Sequence, residues 1–153
     1  MKIFKVFLAA ILAILTLSNS CSQENLQDHS EPASLLVEAA IQNANQENTL
    51  VLLYFGAEGC IYCEQLDRVL NLEDIHSILV EHYVPVRIDV GDFDKNLDLF
   101  NRYMGKKATG IPALAVLGEG GSALGTITGE EWGESDQEVY DSVILFLLQM
   151  TEN

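Results

Sequence analysis

The sequence predicts an α/β domain: a mixed four-stranded sheet, two strands parallel and two forming an antiparallel hairpin, with helices on both faces. Three observations predict it. Leu50 to Phe55 is an apolar run that passes at once into a helical pattern with Leu66, Val69 and Leu70 on one face. Val84, Val86, Ile88 and Val90 alternate with the period of a strand. Ile111 to Leu117 reads as a strand, then comes Gly118-Glu119-Gly120-Gly121-Ser122, then a second strand from Ala123 to Thr128, which together make a hairpin. Strands joined through a helix should run parallel by a right-handed crossover. The chain has 153 residues, 48% of them apolar, enough for one domain with one packed core.

Residues 1–20 have the layout of a secretory signal. Lys2 and Lys5 provide the positive start, and Val6 to Leu17 provides 12 uncharged residues, apolar except Thr16. A helix spanning a bilayer needs ~20 residues, so an uncleaved anchor is disfavoured. Ser18-Asn19-Ser20 before Cys21 resembles a bacterial lipoprotein signal, in which the cysteine is lipidated and becomes the first residue. Asn19 and Ser20 stand where Gly or Ala is more usual, so cleavage by the ordinary signal peptidase is the alternative. The three cysteines are Cys21, Cys60 and Cys63, and lipid on Cys21 would leave one pair. The expectation is a tethered protein in an oxidising, extracytoplasmic compartment. Residues 21–31 are polar and read as a linker, with His29 a solvated residue of it. The domain is expected over residues 32–153.

In the domain, Ser30 or Ser34 is expected to cap a first helix with Pro32 in its opening turn. Leu35, Leu36, Ala39, Ala40 and Ile41 form its apolar stripe, and Asn43 to Asn48 ends it. A helix from the cysteines to about Leu70 follows the first strand. Ile75 to His82 makes another, presenting Ile75, Ile78 and Leu79. Pro85 suggests that the second strand lies at an edge. Asp92, Asp94, Asn96 and Asp98 alternate like the ligands of a calcium loop, but position six is Leu97 and position twelve is Tyr103, so that reading fails. The expectation is a helix capped by Asp94 that carries Leu97, Leu99, Phe100 and Tyr103 and ends near Gly105. Ser135 and Glu138 form a capping box before a last helix with Val139, Val143, Phe146, Leu147 and Met150.

The net charge is −15, and removal of Lys2 and Lys5 takes it to −17. Such a surface repels phosphate backbones, so nucleic acid is excluded as a partner. The chemistry concentrates at Cys60 and Cys63. Positions i and i+3 share a helix face, so the two sulfurs can come within bonding range. Cys60 would sit at the helix start, where unpaired N–H groups and the helix dipole favour a thiolate. That arrangement suits a dithiol that exchanges with other disulfides. The acids Glu58 and Glu64 flank it and oppose the thiolate.

From about residue 34 to 150 the chain resembles the thioredoxin superfamily, and most of all its secreted bacterial members. The resemblance is carried by Tyr54-Phe55-Gly56-Ala57-Glu58-Gly59-Cys60-Ile61-Tyr62-Cys63, by Val86-Arg87-Ile88-Asp89-Val90 and by Gly110-Ile111-Pro112. It implies a thioredoxin fold and a thiol–disulfide oxidoreductase of the cell envelope, needing no cofactor. It also implies that Cys60 attacks, that Cys63 resolves, and that a cis Pro112 sets the Ile111 backbone beside Cys60 to pair with substrate. Expected partners are exported proteins with thiols or disulfides and a membrane electron donor. Five positions depart from the family: Gly59 for Trp, Ile61-Tyr62 for Gly-Pro, Ala113 for Thr, and Tyr54 for a buried carboxylate. With no acid at position 54, proton transfer from Cys63 needs water, Glu58 or Glu64, and Glu58 is the candidate among them. Ile61 and Tyr62 are candidate substrate contacts, although Tyr62 packed over the helix start is an equal reading. Two other classes compete: a non-catalytic binding module with a structural disulfide, and a metal site from Cys60, Cys63, His76 and His82. The spacing of six between the histidines is poor for ligation from one helix.

Overall fold

The computed structural model describes residues 32–105, 108 and 110–152, and the expected signal, Cys21 and the linker lie outside them. The elements in chain order are α1 (Ala33–Glu47), β1 (Leu50–Gly56), α2 (Ile61–Leu70), α3 (Glu73–His82), β2 (Tyr83–Asp89), α4 (Leu97–Met104), β3 (Ala113–Leu117), β4 (Ala123–Thr128) and α5 (Asp136–Thr151). A short 3-10 turn, Glu119–Gly121, closes the β3–β4 loop.

The sheet order is β2-β1-β3-β4. β1 pairs parallel with β2, Phe55 opposite Ile88, and antiparallel with β3, Phe55 opposite Ala113. β3 and β4 form the expected antiparallel hairpin. β2 is an edge, in keeping with Pro85, which has no N–H to give a ladder.

Side-chain alternation along β1 and β3 splits the core in two. Val51, Leu53, Phe55, Ala113, Ala115 and Leu117 face α1 and α4. Leu52, Tyr54, Leu114 and Val116 face α2, α3 and α5. Both strands are buried on both sides, which explains why they read as continuous apolar runs.

Four local expectations are corrected. The buried stripe of α1 is Val37, Ala40 and Ala44, while Leu35 and Leu36 are 48% and 40% exposed and Ala39 faces solvent. Small residues on that stripe let the helix lie close to the sheet, and packing rather than hydrophobicity chose the face. The helix also runs on to Glu47, with Asn48 closing it in the left-handed conformation. No serine caps it: the N-cap is Pro32 without a side-chain bond, Ser34 lies inside the first turn, and Ser30 is outside the described residues. Asp94 does not cap α4. Asn96, in the left-handed region, is the N-cap; its side chain accepts no bond from the helix, and its Nδ2 donates to the Asp89 carbonyl. The capping box of α5 is present in full, with Ser135 Oγ accepting from Glu138 N and the Glu138 carboxylate accepting from Ser135 N.

Candidate functional site

The site is built where β1 ends and α2 begins. Gly56 ends the strand, and Gly59 turns the chain with φ at +75°, a conformation costly for any residue with a side chain. A tryptophan at that position would meet this backbone at a penalty. Cys60 is the N-cap of α2, and its Sγ accepts a hydrogen bond from Cys63 N at 3.2 Å. The sulfur thus occupies the place of a capping oxygen, facing the positive end of the helix. Cys60 and Cys63 are joined as a disulfide with Cα atoms 5.1 Å apart. Cys60 is half-buried, whereas Cys63, one turn on, is 1% exposed. The accessible and the inaccessible sulfur are therefore distinct.

Tyr54 lies behind Cys63. Its hydroxyl donates to the Cys63 carbonyl at 2.9 Å. Burial, and then the charge of neighbouring Asp67, push its pKa up, so the phenol stays protonated and remains a donor. The Arg87 guanidinium stacks over the ring at 4.7 Å and donates to both Asp67 oxygens at 2.7 and 2.8 Å. Where the family carries a buried acid, this chain has a neutral phenol whose ring is covered by the arginine of an ion pair. Gln65, also buried, donates to the Glu134 carbonyl and the Asp136 carboxylate, tying α2 to the start of α5.

The Ile111–Pro112 peptide bond is cis, as expected from the resemblance, and Pro112 is buried. Ile111 and Cys60 line one groove of about 310 Å³ together with Glu58, Asp92 and Phe93. The structure therefore brings Cys60, Cys63, Ile111, Pro112 and Glu58 together. Glu58 is exposed on the Cys60 side, while Cys63 points into the core. Ile61 and Tyr62 are 76% and 63% exposed, so Tyr62 is not packed away over the helix start. His76 and His82 both lie on α3, and among the described residues no three His, Cys, Asp or Glu side chains form a metal-binding group.

Sequence reasoning missed Phe93, the Asp67–Arg87 pair and the Gln65 tether. Arg87 was visible within a resemblance motif and Asp67 stands four residues after Cys63, a spacing that stacks the two on one helix face. Phe93 was hidden among acids that invited a metal-loop reading.

The sequence pattern of the thioredoxin-like family matches residues 33–118. A disulphide isomerase from Xylella fastidiosa Temecula1 is 32% identical, over 81% of this chain and 95% of that one, with a TM-score of 0.68. A thioredoxin from Thermus thermophilus is 21% identical, over 74% and 82% of the two chains, with a TM-score of 0.57. The C-terminal domain of DsbD from Neisseria meningitidis, in its oxidised form, is 21% identical over 71% and 93%, with a TM-score of 0.50. The last two share the fold. No curated protein matches the chain significantly.

Proposed function

This chain belongs to the thioredoxin-like family, and from that premise we propose that it is a thiol–disulfide oxidoreductase of the bacterial cell envelope, exchanging disulfides with exported proteins through Cys60 and Cys63. The observation that carries the reading is the unequal pair: a half-buried Cys60 capping a helix and a Cys63 sealed behind it, with the cis Ile111–Pro112 bond alongside. The envelope address rests on residues 1–20 and Cys21, which favour an exported chain tethered by lipid and able to draw electrons from a membrane donor.

In the reducing direction, the Cys60 thiolate attacks one sulfur of a substrate disulfide. A Cys60–substrate disulfide forms and the other substrate sulfur leaves as a thiolate. Cys63 then loses its proton and attacks Cys60 Sγ, closing the Cys60–Cys63 bond and releasing the second substrate thiolate. The pair gives up two electrons and the substrate gains them; oxidation of substrate is the reverse. Ile111 offers backbone for an extended substrate segment, and Ile61 and Tyr62 offer apolar contact. Because Tyr54 stays protonated, it positions Cys63 and takes no proton. That role falls to Glu58 or to water.

The test is a trap. Cys63→Ser, in the native envelope, should accumulate mixed disulfides on Cys60 that vanish on reduction and are absent when Cys60 is also serine. An empty trap would favour the binding-module reading, which the departures at positions 54, 59 and 61–62 motivate. Direction is read from the reduction potential of the pair in the full chain carrying Cys21→Ser. About −270 mV means a reductase, about −120 mV a donor of disulfides, and well below −300 mV a structural disulfide.

A further inference from the structure

We propose that the groove beside Cys60 selects partner segments that carry a lysine or arginine next to the reacting cysteine. This deepens the oxidoreductase reading and rests on it.

The groove of about 310 Å³ runs from Cys60 to the loop after β2. Beside Ala57 and Ile111 it holds Phe93, which is 39% exposed although a phenylalanine gains by burial. Its backbone is held at φ +61°, a region that bulky residues avoid. Such an outlier persists where the surroundings over-determine it. Here the ring is pinned edge-on against Phe100 at 5.7 Å, and Phe100 is pinned in turn against Phe55 at 5.3 Å. Phe93 is thus a fixed aromatic plate in a groove that also holds the reactive sulfur.

The charged side chains that line the groove are both acidic. Glu58 and Asp92 line the groove and are exposed, and among the described residues no basic side chain lines it. The neighbouring cation Lys95 is paired to Asp89 at 2.9 Å and its charge reaches Glu58 more weakly, which leaves Asp92 the stronger attractor. An extended segment laid along Ile111 would bring its cysteine to Cys60 and a flanking side chain over Phe93. A lysine or arginine there finds an aromatic for its stem and cation, and two carboxylates for its charge. A glutamate finds the same carboxylates as repulsion. Rim charges of this kind steer encounter and choose partners more than they add raw affinity.

The test uses the full chain carrying Cys21→Ser and two peptides, each in mixed disulfide with the same small thiol, differing in Lys or Glu beside the cysteine. A small uncharged disulfide serves as the common reference. With the protein reduced beforehand, so that one turnover converts its dithiol to the disulfide, the Lys peptide should be reduced with a second-order rate constant roughly five- to tenfold above that of the Glu peptide at low salt, a ratio suited to two exposed charge contacts. The ratio should approach one in concentrated salt. It should fall in Asp92→Asn and in Glu58→Gln, and invert in Asp92→Lys. Equal rates for the two peptides, or a preference untouched by salt and by Asp92→Lys, overturn the inference while leaving the oxidoreductase reading intact, because the reference disulfide still turns over. Failure to reduce the reference as well removes both.

Discussion

The Tyr54 hydroxyl donates to the carbonyl of Cys63, so the resolving cysteine is held from below by a group that carries no charge. Tyr54 and Cys63 are both buried, so this bond is made away from the surface.

Tyr54→Phe should therefore destabilise the protein by about 0.5–1.5 kcal/mol, the net worth of one buried hydrogen bond, since the carbonyl keeps its place in the ladder of α2. The ring, and the stacking of Arg87 on it, would remain. Urea unfolding measures the loss. The same variant should slow release of a trapped mixed disulfide more than it slows formation, since it frees Cys63 and leaves Cys60 at its cap. A Tyr54→Phe protein that unfolds at the wild-type urea concentration would show that the bond contributes nothing.

The two sulfurs should differ in reactivity once reduced. In the folded dithiol, iodoacetamide should modify Cys60 at least about tenfold faster than Cys63, because access and the helix terminus both favour Cys60. Denaturant should erase the difference. Mass spectrometry of quenched digests gives both rates, and equal rates in the folded protein would refute the assignment of Cys60 as the entry point.

Alkaline stability should depend on two phenols. Burial raises the pKa of Tyr83, whose hydroxyl donates to the Leu147 carbonyl at 2.6 Å, and burial is the first cause of the raised pKa of Tyr54. In the unfolded chain both titrate near 10. Stability from the neutral phenols is thus complete below about pH 10 and is lost as pH rises beyond it, because only the unfolded chain readily gives up those protons. Tyr83→Phe should lower stability at pH 7 yet flatten its decline above pH 10. Chemical denaturation at pH 7, 9 and 10.5 checks both.

Acid stability should depend on the start of α5. Hydrogen bonds from Ser135 hold the Glu138 carboxyl below its ordinary pKa, and those from Gln65 and then Arg68 do the same for Asp136. Carboxylates with lowered pKa contribute stability above the ordinary value of about 4, and the contribution is lost as pH falls through the lowered one. Thermal melts from pH 6 to pH 2 should fall less steeply for Glu138→Gln than for wild type. Ser135→Ala, which removes the cap itself, should cost about 1 kcal/mol at neutral pH.

Sheet and site were legible in the sequence to different depths. β1, β3 and the cysteine helix were plain because a strand buried on both faces and an amphipathic helix leave unmistakable patterns. The α1 stripe was misread because that helix has apolar residues on several faces, and only the flat sheet beneath it selects Val37, Ala40 and Ala44. The α4 cap was misread because four Asx residues crowd residues 92–98, and the choice among them is made by backbone angles that propensity does not encode. The cysteines announced themselves by spacing and context. Phe93 and the Asp67–Arg87 pair did not, since their meaning comes from partners on other elements.

The division of the core by the sheet has an optical consequence. Trp132 is the chain's one tryptophan, and it is buried in the cluster that contains Cys63, Tyr54 and Leu66. The opposite cluster, under α1 and α4, holds Phe55, Phe100 and Tyr103 but no indole. Tryptophan emission therefore watches the half of the molecule that carries the disulfide and is blind to loosening of the other half. Fluorescence and far-ultraviolet dichroism followed together would report whether the two halves come apart as one.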